Sequence, residues 1–233
     1  MNFKKLVSVI AAVTICAAAT GCASSDSSSS KADTSSAAQT TTTAPAATTD
    51  YDINGDFRAY DQLKEAYADG YTIVFSNEVD GQKTDYTMCV KDDKAYVASV
   101  ISGMKSYRVA PGDGKVYIVS EATTTYSTQE QNDDFVRNSD MLFGATTDFD
   151  KAEIDADTNT VKEYYKLDEE LVGGTGSIIY SFDGETYDLK SLTVAFDGSD
   201  VIEYTLTSIA AADETLLAVP DLSGYTDQTQ TAE

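Results

Sequence analysis

The sequence predicts a fold that is mainly β with α: a long antiparallel meander entered from one amphipathic helix. Three observations carry this. Apolar and polar residues alternate along most of the chain from Tyr71 to Ile209. Turn signatures interrupt that alternation at hairpin distances, namely Asp80-Gly81, Asp92-Asp93, Ser102-Gly103 and Pro111-Gly112-Asp113-Gly114. The spacings leave no room for parallel crossovers, so the strands must return antiparallel.

The helix comes first. Between Asp56 and Ala68, Tyr60, Leu63 and Tyr67 recur at i, i+3 and i+7 with Asp61, Lys64 and Glu65 between them, which gives one apolar face. Asn54 or Asp56 supplies the cap, and Gly70 ends the element. The period then drops to two. Tyr71, Ile73 and Phe75 form one strand and Tyr86, Met88 and Val90 the next, with further strands over Lys94–Ile101, Lys105–Ala110 and Lys115–Ala122. From Gln129 to Gly144 the alternation lapses, and a short helix or mobile segment is expected there. Strands resume over Phe149–Ile154 and Val161–Leu167. Beyond the glycines at Gly173, Gly174 and Gly176 they continue over Ser177–Phe182, Leu189–Phe196 and Val201–Ile209. The total is about ten strands. In the last three, Ile178, Tyr180, Phe182, Leu192, Val194, Phe196, Ile202, Tyr204 and Leu206 fall on one face, against polar partners such as Thr193 and Thr205.

Composition narrows the chemistry. The 233 residues carry a formal charge of −23, so a phosphate backbone is repelled and nucleic acid is not an expected partner. The chain has no histidine and no tryptophan, which excludes histidine-based triads and histidine-ligated metals. No enzyme activity, cofactor or metal is expected. Asp155, Asp157 and Asn159 look like the start of a calcium loop, but Thr160 stands where the sharp turn needs glycine and Lys166 where the bidentate glutamate belongs. A hairpin turn is the better account. The acidic run Asp148, Asp150, Glu153, Asp155 and Asp157 reads as a solvated face. Ser102-Gly103-Met104-Lys105 matches a Ser-x-x-Lys element, which works only when the serine opens a helix; here it spans a turn. Cys89 is the one cysteine left in the folded part, and it is expected to pack as a small apolar residue in a strand. The 15 tyrosines outnumber the 8 phenylalanines, and the wet face of the sheet is their default place.

Residues 1–21 read as a signal peptide: Lys4 and Lys5 precede an apolar stretch from Leu6 to Ala19 that is too short to span a bilayer. It ends at Ala19-Thr20-Gly21-Cys22, which resembles the bacterial lipoprotein lipobox, although Ala19 stands where leucine is usual. The resemblance implies that Cys22 is acylated and anchors the protein to the outer side of the bacterial cell membrane. More than one acyl chain makes such an anchor stable. Residues 22–50 are then the acylated cysteine and a disordered Ser/Thr/Ala tether, 51–225 the folded domain, and 226–233 a disordered tail.

The order of amphipathic helix, meander, irregular middle and closing strands, ending in Leu189-Lys190-Ser191-Leu192-Thr193-Val194 and Val201-Ile202-Glu203-Tyr204-Thr205-Leu206, resembles the LolA/LppX-like superfamily of lipoprotein and lipid carriers. That resemblance implies a curved sheet forming a half-barrel, with the N-terminal helix packed on it and acyl chains held on its concave face. A lipid or other apolar ligand would then meet Tyr60, Leu63 and Tyr67 from the helix and Tyr180, Phe182, Val194, Phe196 and Tyr204 from the sheet. Two readings remain open. One is a membrane-anchored binding module, treated as a monomer, that shelters an apolar ligand. The other is an interaction or structural lipoprotein whose interior is filled by its own side chains. Cavity volume separates the two.

Overall fold

The computed structural model describes residues 49–132, 134–169, 174–197 and 201–229. The expected signal peptide, Cys22, the tether up to residue 48, Gly173 and residues 230–233 lie outside the described residues.

Asp80, Asp92 and Ser102 take φ of 52°, 53° and 52°, so each of these turns reverses the chain within two residues. The strands on either side pair in register: β1 (Tyr71–Val79) with β2 (Gln82–Lys91), β2 with β3 (Lys94–Ile101), and β3 with β4 (Met104–Ala110). β5 (Lys115–Ser120) and β6 (Thr125–Glu130) extend this first meander. A second runs through β7 (Thr146–Asp155), β8 (Thr160–Leu167), β9 (Gly176–Asp183), β10 (Leu189–Phe196) and β11 (Val201–Ala211). β11 returns to pair antiparallel with β1, and β12 (Thr226–Asp227) adds to β6 in parallel. The result is one curved, unclosed sheet of mainly antiparallel strands in the order β12-β6-β5-β4-β3-β2-β1-β11-β10-β9-β8-β7, mainly β with some α as the sequence predicts.

Two strands depart from the expected ten. β6, Thr-Tyr-Ser-Thr-Gln-Glu, has no apolar alternation to reveal it, and β12 falls inside the stretch expected to be a disordered tail, where Thr226 and Asp227 pair with Thr125 and Tyr126. The helix α1 is also shorter than expected, Ala59–Ala66.

Because β6 and β7 lie toward opposite ends of the sheet, the chain between them must cross one face. That crossing is the irregular stretch of the sequence, and it contains α2 (Asp134–Ser139) followed by the buried Met141 and Leu142. It packs on the same inner face as α1: the Phe143 ring lies 5.6 Å from Tyr71 and 5.7 Å from Tyr60, centroid to centroid. The inner face itself is built from cross-strand rows. Tyr180, Leu192 and Tyr204 are direct partners across β9, β10 and β11, and so are Ile178, Val194 and Ile202. Burying that face against helix and crossing segment removes both from water at about 25 cal/mol per Å².

The outer face bears a smaller cluster of Cys89, Tyr96, Ala98 and Val109, capped by Leu217. Thr193, on the outer side of β10, is half-exposed, whereas Phe182 is fully buried and Phe196 only half-buried. Truncation of Phe182 to alanine is therefore expected to cost roughly 3–5 kcal/mol and Thr193→Ala under about 0.5 kcal/mol. Denaturant titration checks this, and equal midpoints for the two variants would contradict the assignment of faces.

Candidate functional site

Among the described residues, the strands of the inner face bury a carboxylate. Val161, Glu163, Tyr165 and Leu167 alternate onto it along β8, so Glu163 sits in an otherwise apolar row and is fully buried. Each of its oxygens has two donors. Oε1 accepts from the Tyr51 hydroxyl at 2.7 Å and the Ala59 amide at 2.7 Å; Oε2 accepts from the Tyr60 amide at 3.1 Å and the Tyr165 hydroxyl at 3.1 Å. Ala59 and Tyr60 open α1, and no side chain on the helix's own segment caps it. The expected caps are thus replaced: Asn54 lies in a turn in which its amide donates to Asp52 at 2.9 Å, and the helix N-terminus is satisfied by a strand residue about a hundred positions away. A negative charge at that end also suits the helix dipole. Burial, reinforced by the Glu163 charge, holds the Tyr51 and Tyr165 hydroxyls far above the ordinary phenol range, so both remain protonated donors. Arg58, just before the helix, lays its guanidinium 3.9 Å from the centroid of the Phe149 ring and donates to the Gly55 and Phe57 carbonyls.

Other buried tyrosines hold the crossing segment. The Tyr71 hydroxyl donates to Asp140 Oδ1 at 2.6 Å and faces the Leu142 amide at 3.4 Å. The Tyr180 hydroxyl donates to the Leu142 carbonyl, and the Tyr60 hydroxyl shares a hydrogen bond with Thr146 at 2.8 Å. Burial drives the Tyr71 and Tyr180 hydroxyls well above their usual range. Tyr60, Tyr71, Tyr86, Tyr180 and Tyr204 are buried in the apolar phase in which the sequence sets them, and the general default that tyrosines populate the wet face is corrected for Tyr51, Tyr96 and Tyr165, which are buried as well. The physical reason is that an irregular segment laid across an apolar face brings backbone polar groups with it. A phenol is apolar along its ring and polar at its tip, so it buries area and still satisfies those groups.

The eight residues expected to meet an apolar ligand do come together, in one packed cluster. Tyr60, Tyr180, Phe182, Val194 and Tyr204 are buried in it, and Leu63, Tyr67 and Phe196 pack at its rim. They meet one another: Tyr60 lies 4.8 Å from Tyr180 and Tyr180 lies 6.3 Å from Phe182, centroid to centroid. Open clefts among the described residues lie elsewhere on the surface, two of them well defined. One of about 540 Å³ lies around the ends of β7–β10 and is lined by Asp150, Asp168, Glu169 and Asp197 with Lys166; Asp168 there pairs with Arg137. The other, about 250 Å³, lies by the β1–β2 hairpin between Asn77, Val79, Thr84, Tyr86 and Ile101. Neither is lined by any of the eight.

The remaining sequence candidates resolve into structure. Asp155 Oδ1 accepts the Asp157 and Thr158 amides and its Oδ2 pairs with Lys162 at 3.0 Å, so that carboxylate is engaged in the β7–β8 turn. Among the described residues no three acidic or cysteine side chains group as a metal site. Ser102 lies in the two-residue β3–β4 turn, and Lys105 sits near Glu121 and over the Tyr107 ring. Cys89 is buried, its thiol pushed up by that burial and directed at the Asp213 carbonyl at 3.6 Å. Asp148, Asp150 and Glu153 lie on β7, an edge strand with two register irregularities against β8; charge and bulges are the usual protection of a free edge. The sequence signal for the Glu163 site was present but small: one carboxylate in the apolar phase of a strand.

Removing that carboxylate leaves two buried amides and two phenols without an acceptor, at about 1–3 kcal/mol each before relaxation. Glu163→Ala is therefore expected to lower stability by roughly 3–5 kcal/mol. Glu163→Gln should cost less, because its amide oxygen still accepts from Tyr51 and Ala59 while the Tyr60 N–H loses its acceptor. Chemical denaturation of the three proteins checks the order, and a Glu163→Ala protein as stable as the parent would contradict it.

Among solved structures, an uncharacterized conserved protein from Thermus thermophilus superposes with a TM-score of 0.47 at 7% identity, over 74% of this chain and 97% of that one. No protein-family model and no curated protein matches the chain.

Proposed function

We propose that this chain is an acylated extracytoplasmic lipoprotein that acts as an interaction module, presenting a rigid acidic β domain to a protein or a wall polymer. One observation supports this over ligand carriage. The side chains on which an apolar ligand would rest are packed against one another, and the hydroxyls beside them are bonded to the protein's own backbone and carboxylates. An interior filled in this way leaves the outer surface to do the work. The anchor rests on Lys4, Lys5, the short apolar stretch and the cysteine at Cys22. The LolA/LppX-like resemblance then concerns architecture, a half-barrel crossed by a helix, with its carrier cavity closed over by side chains. Neither the reading nor the resemblance requires catalysis or a cofactor.

Carriage of a small apolar group is the second reading, and the cleft at the β1–β2 hairpin favours it. There the inner face runs past α1 and leaves Val79 exposed beside Ile101. Its volume of about 250 Å³ is below the usual range for a site that encloses a drug-sized ligand.

Native mass spectrometry of protein taken from its own membrane, with sequencing of the N-terminal peptide, tests both parts. The expected result is a diacyl or triacyl modification on Cys22 and no non-covalent lipid on the folded domain. An unmodified Cys22 removes the anchor, and a reproducible lipid adduct moves the assignment to the carrier reading.

A further inference from the structure

After β11 the chain turns back and crosses the outer face as a strap, from Asp213 to Thr229. Its first contacts lie over β1 and β2. The Asp213 amide donates to Thr72 Oγ1 at 2.8 Å, and Glu214 pairs with Lys91. Lys94 adds its charge from nearby and helps to hold the Glu214 carboxyl below its usual range, after the larger contribution of Lys91. Leu217 then drops into a socket formed by Cys89, Tyr96, Ala98 and Val109. From there to Thr229 the strap is mostly exposed until it reaches the outer edge of β6. At that edge the Thr226 and Gln228 amides donate to the Thr124 and Tyr126 carbonyls at 3.0 and 2.7 Å, the Thr128 amide donates to Thr229 Oγ1 at 2.9 Å, and the Tyr126 hydroxyl donates to Asp227 at 3.0 Å.

This is strand addition performed within one chain, and its parts are unequal in strength. The seat is built: a lysine pair for the acidic start of the strap, an apolar socket for one leucine, and a strand edge for its end. The strap itself is weakly held, because Leu217 is its one buried side chain and its hydrogen bonds run through solvent-exposed residues. Segments held in this way open locally at far less cost than the sheet. Opening bares the β6 edge, and a free edge takes up whatever extended chain fits it.

We propose that the strap seat is a docking site for the same segment of a second copy of this chain, so that two copies exchange straps and form a reciprocal dimer. The second copy is the occupant that the observations favour, for two reasons. Every contact made within one chain is available unchanged to an identical strap, and Lys91 and Lys94 give an otherwise strongly acidic molecule a local attraction for the acidic start of another. Because Ala212 alone links Ala211 at the end of β11 to Asp213 at the start of the strap, an exchanged strap reaches the seat of a second copy when the two outer faces lie against one another. A strap competes with its own copy at an effective concentration near the millimolar range, so exchange is expected where the chain is crowded, as on a membrane surface. Exchange of an identical element is a low-cost route to a two-fold dimer. The inference is independent of whether the interior holds a ligand.

A fluorescent synthetic peptide of residues 212–229, titrated into the full chain by anisotropy, reads the seat directly. Saturable binding is expected, about tenfold tighter to a full chain carrying Leu217→Ala, whose own strap competes less, and lost when the peptide carries Leu217→Asp. Circular dichroism of the Leu217→Ala chain shows whether it is folded. Failure of the peptide to bind either folded chain, or equal binding by the Leu217→Asp peptide, overturns the proposal. Should the Leu217→Ala chain not fold, mixing isotopically light and heavy unmodified chains at about 1 mM decides the matter by native mass spectrometry. Mixed dimers support strap exchange, and their absence overturns it.

Discussion

The rest of the structure depends on a buried carboxylate, that of Glu163. A fully buried carboxyl group is tolerated only when its oxygens are met by donors, and here two helix amides and two phenols meet them. The requirement works in both directions. The carboxylate needs the N-terminus of α1, and α1, which has no side-chain cap of its own, needs the carboxylate. Through Tyr51 the same group also fixes the segment leading into the helix against β8. Three parts of the chain that are distant in sequence are thereby held in one place before any apolar packing is counted.

With the helix so placed, the inner face is closed by tyrosines. Tyr60, Tyr71 and Tyr180 bury their rings in the cluster and direct their hydroxyls at Thr146, where β7 begins, and at Asp140 and the Leu142 carbonyl in the stretch that crosses from β6 to β7. An irregular segment can lie over an apolar face because its polar groups are met there. The same economy appears at the edges of an unclosed sheet. β7 is protected by charges and register irregularities, β6 by the strap.

Much of this was legible in the residues. The Asp-Gly and Ser-Gly turns, the alternation along β1 to β5 and β8 to β11, and the stripe of Tyr60, Leu63 and Tyr67 predict their elements closely, because each is local and each has a backbone reason. What was not legible is what rests on distant partners. β6 has no apolar alternation, and it is held because β5 on one side and the strap on the other supply its hydrogen bonds. The local sequence offers only near neighbours, Asn54 or Asp56, as the cap of α1, because a cap supplied from β8 leaves no trace near the helix. Glu163 could have been singled out from its phase in β8, but its role could not, since that depends on what the fold brings to it. The eight face residues share one packed cluster, and whether they line a cavity or fill one depends on the crossing segment, whose sequence has no period to read.

All of this requires α1 to be part of the core rather than a cover that opens. Residue-resolved amide hydrogen exchange tests this most directly at Ala59 and Tyr60, whose N–H groups are held by the carboxylate. If Glu163 fixes the helix to the sheet, these two amides exchange only by global unfolding, with the same denaturant dependence as the central amides of β9 and β10. Exchange of both through a local opening, while the sheet amides remain protected, would contradict this: the helix would then be a gate over the inner face, and the interior a site that it uncovers.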